Sequence, residues 1–186
     1  MSVLRSITLG AVATLGAVGC LAGGISEPGG GGGGGGGGDD TQPPGGTESD
    51  ALISEWSGCM TIENFRLAKM NTAWGTLAAS NGQACSSCHG TGFEGFYADR
   101  DEAAMYSAIT KTKGFLTQYF IPDVPNHKMV VNEVVFKAVG TNQAPHQAHP
   151  SFTPTANAGM TALRAYYDTT LQAQQAHTCA PSRLTP

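Results

Sequence analysis

The chain has 186 residues, of which 26 are Gly and only 13% are charged, but fourteen of those Gly lie between Leu21 and Asp50 and only nine from Ala51 to Pro186. Collagen is therefore excluded for want of a Gly-X-Y period, and the stretch from Ala51 onward has the ordinary Gly content and the length of one globular domain with a single core. Its nine Lys and Arg meet nine Asp and Glu without a basic run, which argues against nucleic acid as a partner, because phosphate binding relies on clustered cations.

Residues 1–20 carry one early cation, Arg5, and then an uncharged apolar stretch from Ile7 to Val18. That stretch is too short to cross a bilayer as a helix and has the form of an export signal. Ala17-Val18-Gly19-Cys20 resembles the lipobox of bacterial lipoproteins, although Ala17 stands where Leu is usual. The resemblance implies a lipid on Cys20, and with no Asp at position 21 or 22 it implies sorting to the outer membrane, facing the periplasm or the cell surface. Ordinary signal cleavage nearby is the alternative. Residues 21–50 follow with ten consecutive Gly (Gly29 to Gly38), Asp39-Asp40 and Pro43-Pro44. So few large apolar side chains cannot offset the entropy of ordering, and the segment is expected to be a flexible tether spanning about 30 Å on average. Residues 51–186 are expected to form the domain.

Within it, Leu67, Met70, Trp74 and Leu77 have the spacing of an amphipathic helix, with Thr61 as its cap. Gln83 to Gly90 then contains Cys85-Ser86-Ser87-Cys88-His89, the Cys-x-x-Cys-His attachment signature of c-type haem. Two thiols three positions apart on one turn can bond the two vinyl groups on one edge of a porphyrin, and the adjacent His89 can reach the iron. A thioredoxin-like motif would follow a strand, whereas the preceding segment has helical spacing. A structural zinc site needs a second ligand pair, and no other Cys-x-x-Cys exists. Gly90 to Tyr97 is expected to be a loop. Asp99-Arg100-Asp101-Glu102 has the form of a capping box leading into Met105, Ala108 and Ile109. Asn132 to Val139 is open between helix and strand. Met160, Leu163, Tyr167 and Leu171 mark a last helix. The expected fold class is all-α.

Of five Cys, two assigned to haem and one to lipid leave Cys59 and Cys179. In an oxidising compartment these are expected to pair, two separate thiols being the alternative.

An N-terminal helix leading into Cys85-x-x-Cys88-His89, an intervening helix, and a last helix containing Ala165-Tyr166-Tyr167 are similar to the single-haem class I cytochromes c. The resemblance implies a cytochrome c-like helical domain around one covalent haem c, with His89 as the proximal iron ligand. In that family a distal Met-Pro comes shortly before the last helix. Here residues 141–153 contain no Met, and His149-Pro150 stands in its place. His149 is therefore the expected second metal ligand, with Met129, His146 or an open site as alternatives. The function implied is an electron carrier rather than an enzyme, exchanging electrons with redox partner proteins, anchored to a membrane by lipid and without a small-molecule substrate. A haem peroxidase or gas sensor with an open distal site, or a structural haem subunit of a larger redox complex, are the other readings.

Overall fold

The computed structural model describes residues 47–141 and 149–185. Helix α1 (Glu48–Cys59) begins three residues before Ala51. It is closed by a reciprocal capping box in which the Thr47 side chain accepts from the Asp50 amide and the Asp50 side chain accepts from the Thr47 amide. It buries Leu52, Ile53, Trp56 and Cys59.

The helix expected from Leu67, Met70, Trp74 and Leu77 is two short ones, α2 (Ile62–Leu67) and α3 (Met70–Gly75). Thr61 does cap the first, accepting from the Asn64 amide. The break is Lys69, whose φ of 59° is left-handed and cannot continue an α-helix. The re-aimed axis buries Phe65, Met70 and Trp74 but leaves Leu67 78% exposed.

Helix α4 (Ser86–His89) carries the motif. After a loop come α5 (Glu102–Lys111), capped by Asp101 rather than Asp99, and α6 (Lys113–Tyr119). Strand β1 (Phe120–Asp123) then pairs antiparallel with β2 (Lys128–Val131), in register from Phe120 opposite Val131 to Asp123 opposite Lys128. This corrects the all-α expectation: the fold is helical with a two-stranded antiparallel sheet, and a purely helical cytochrome c-like domain does not describe it. The cause is local. β-branched and aromatic residues flank a Val124-Pro125-Asn126 turn closed by His127 at a φ of 46°, which is hairpin chemistry.

The segment left open between helix and strand holds both, since β2 ends at Val131 and α7 (Glu133–Gly140) starts behind an Asn132 cap. The last helix, α8 (Ala158–Gln175), is capped by Asn157 and buries Met160, Leu163, Tyr166, Thr170 and Gln174. Its buried stripe is thus centred on Tyr166, while Tyr167 and Leu171 sit at its edge. Helices α1, α2 and α3 all pack against α8. One core runs through them, with Phe65 edge-on to Tyr166 at 5.4 Å and Trp56 5.5 Å from Tyr167. The structure joins Cys59, at the end of α1, to Cys179, beyond α8, in a disulfide. No described helix is long and apolar enough to cross a membrane.

Candidate functional site

The motif is held by the chain just before it. Ala78 bridges Ala84 in antiparallel fashion, the Cys85 amide donates to Leu77 O at 2.9 Å, and Ser86 Oγ donates to Gly75 O at 2.6 Å. The end of α3 therefore fixes where α4 begins. Inside the motif the His89 amide donates to Cys85 O at 3.0 Å, so Cys85, Cys88 and His89 occupy one helical turn, the two Cys three positions apart on one side.

His89 is only 9% exposed. Burial, opposed by its bond to Phe93 and reinforced by the neighbouring His149, holds its pKa below the usual imidazole value. Its Nδ1 lies 2.9 Å from Phe93 O. A neutral imidazole can meet a carbonyl only by donating, so the proton is on Nδ1 and the Nε2 lone pair is the one left to bind a metal. Phe93 O does this from a tight turn in the 90–97 loop, in which Gly92 has a φ of 84°. The aromatic character of that loop was its only sequence signal.

Three rings surround the His89 imidazole. Phe96 stands perpendicular to it at 5.0 Å, Phe93 lies at 6.3 Å, and His149 lies at 6.0 Å with ring planes 31° apart. His149 reaches this place because the chain just after it is tied to two other segments: the Ser80 amide donates to Ser151 O at 2.7 Å, and the Phe152 amide donates to Gly140 O at 2.9 Å. The first bond ties the His149 segment to the loop that precedes the motif.

The other distal candidates are placed differently. Met129 is fully buried in β2, its carbonyl accepting from the Tyr167 hydroxyl at 3.0 Å. His146 lies outside the described residues, as do Cys20 and the Gly run.

Cys85 is a free, partly buried thiol whose pKa burial pushes up to about 11, so it stays protonated at neutral pH. Cys88 has Gln83 Nε2 3.6 Å from its sulfur and is itself disulfide-bonded. Among the described residues no three or more His, Cys, Asp or Glu side chains converge as a metal-ion cage.

Compared with known proteins, the chain matches no protein-family model, no curated protein and no solved structure.

Proposed function

We propose that the domain is an extracytoplasmic electron carrier that would hold one c-type haem through Cys85, Cys88 and His89, with His149 as the second ligand to its iron. The observation that supports this reading is the His89–His149 pair, with ring centres 6.0 Å apart. Two imidazoles at that separation are close enough to hold one metal ion between them. The donor set also fits, because the Nδ1 hydrogen bond to Phe93 O leaves Nε2 as the lone-pair nitrogen of a neutral His89.

A bound haem supplies one-electron chemistry at its iron. His89 presents Nε2, and Phe93 O keeps the other ring proton on Nδ1, which orients the ring and raises its basicity. Cys85 and Cys88 would provide one sulfur each for thioether attachment; Cys88 could do so only as a thiol, after a dithiol reductant had given two electrons to its disulfide and left both sulfurs as thiols. Phe96, Trp74, Tyr119 and Phe136 pack as an aromatic wall behind His89 and exclude water. Imidazole is a stronger donor than thioether, so the potential lies below that of a Met/His site. Anchoring by a lipid on Cys20, ahead of the Gly-rich segment, completes the reading. It rests on the lipobox resemblance and the Gly run, and would raise the carrier's effective concentration near membrane partners.

Absorption spectra of the haem-matured protein, with and without carbon monoxide, test it. The wild type should be six-coordinate and slow to bind the gas, and His149→Ala should bind it readily. Fast binding by the wild type would instead favour the peroxidase or sensor reading. A sulfur-to-iron band lost in Met129→Ala would move the distal ligand to Met129.

A further inference from the structure

All eighteen Asp, Glu, Lys and Arg side chains from Ala51 onward fall outside two stretches, residues 70–93 and 138–163, which together hold 50 residues without one. The fold brings the described parts of these stretches together at the candidate site. The first carries Cys85, Cys88 and His89, the second carries His149, and the Ser80 amide joins them by donating to Ser151 O. Residues 78–80 on one side and 151–153 on the other line a surface hollow of about 360 Å³. Ala78, Ser80, Asn81 and Ser87 are exposed on the first stretch, and Thr153 and Ala156 on the second. Charge begins only at the borders. Lys69 and Glu94 flank the first stretch, and Lys137 and Arg164, both paired with Glu133, flank the second.

This distribution restricts what can lie against the site. A charged side chain pressed onto such a face would lose its water and meet no opposite charge, which is costly, whereas an uncharged face loses little. Steering by charge, which speeds encounter and makes it salt-dependent, has no counterpart here. We infer that the rim of the site, built from residues 76–91 and 150–156, is the surface on which the carrier's redox partner docks, and that this partner is a protein presenting an equally uncharged face. This rests on the haem reading above and adds to it the kind of partner. One electron crosses the contact, lost by the reduced carrier and gained by the oxidised partner.

A second copy of the chain presents such a face and serves as the probe. The measurement is electron self-exchange in a mixture of reduced and oxidised haem-matured protein, read from NMR line widths between about 0.01 and 1 M ionic strength. The wild-type rate constant should stay level across that range. Ser80→Lys with Thr153→Lys puts four Lys–Lys pairs across the contact, each worth about a factor of two at about 10 Å in water. Exchange should therefore slow roughly tenfold at low salt and recover at high salt. Gln172→Lys with Gln175→Lys adds the same charge at exposed positions about 20 Å or more along α8 from Gly159, and should slow exchange far less. A wild-type rate that changes with salt by more than about threefold, equal slowing by the two double variants, or no slowing by the first would overturn the docking surface while the haem reading stands. If the wild type carries no haem, the haem reading fails and the docking surface with it.

Discussion

Replacing Cys59 and Cys179 together by Ala removes a bond that ties α1 to the chain beyond α8 across a sequence separation of 120 residues. In the loop-entropy model a closure of that length restricts the unfolded chain by about 5 kcal/mol, and native disulfides in small exported domains contribute about 2–5 kcal/mol in practice. The bond also holds the segment after it in place. The Ala180 amide donates to Gly58 O at 3.2 Å, the Arg183 amide to Ser57 Oγ at 3.0 Å, and the Thr185 amide to Lys111 O at 2.9 Å. Ser57 Oγ in turn donates to Thr110 O at 2.8 Å, so the C-terminal segment bridges α1 and the end of α5. Urea unfolding should show the double variant less stable by about 3–5 kcal/mol, with a steeper denaturant dependence because its unfolded chain exposes more surface. Hydrogen exchange should speed up at Ala180, Arg183 and Thr185. A loss below about 1 kcal/mol, or unchanged protection of those amides, would refute the claim that this bond fastens the two ends of the domain.

Two further substitutions probe the frame around the site. A Cβ added at Gly159 would lie 2.8 Å from Trp74 Cδ2 and 2.9 Å from Cε2, and the ring has no room to yield; Gly159→Ala should cost about 1–3 kcal/mol in thermal or urea unfolding, a cost-free substitution contradicting the close approach of α8 to α3. Glu133 accepts from Arg164 at 2.9 Å and has its pKa held below the usual carboxylate value, chiefly by that hydrogen bond. A lowered native pKa means stability that is present above the unfolded value and lost as the pH falls through the native one. Glu133→Gln should therefore lower the melting temperature slightly at pH 7, and the loss should shrink as the pH falls below the ordinary carboxylate range and the wild-type side chain takes up its proton; an equal loss at all pH values would show that the pair is not the cause.

What could be read ahead of the structure was whatever depends on neighbours along the chain. The Cys85-x-x-Cys88-His89 turn, the Thr61 cap and the last helix are of that kind, because hydrogen-bonding patterns and helical spacing are set within a few residues. Helix α1 was equally legible, through Thr47 and Asp50 as a capping box and Leu52, Ile53, Trp56 and Cys59 as its apolar face. The Gly-rich and acidic stretch before it drew the boundary at residue 50 instead. The break at Lys69 could not be seen, since neither Gly nor Pro marks it and burial of Phe65 and Trp74 on separate axes decides it. The hairpin was hidden by its four-residue strands and by Pro122, which sits opposite Met129. The nearness of His149 to His89 was suggested by resemblance alone. Its physical cause, the ties of Ser151 to Ser80 and of Phe152 to Gly140, spans segments far apart in sequence.

The central claim is that Cys85, Cys88 and His89 form a haem attachment site. Its most direct test is the mass of the peptide spanning residues 85–89, isolated from protein exported by a host competent in c-type haem maturation. This peptide should carry the mass of one haem, and Cys85→Ala with Cys88→Ala should abolish the addition. A wild-type peptide recovered at its bare mass, with Cys88 still in a disulfide, would contradict it.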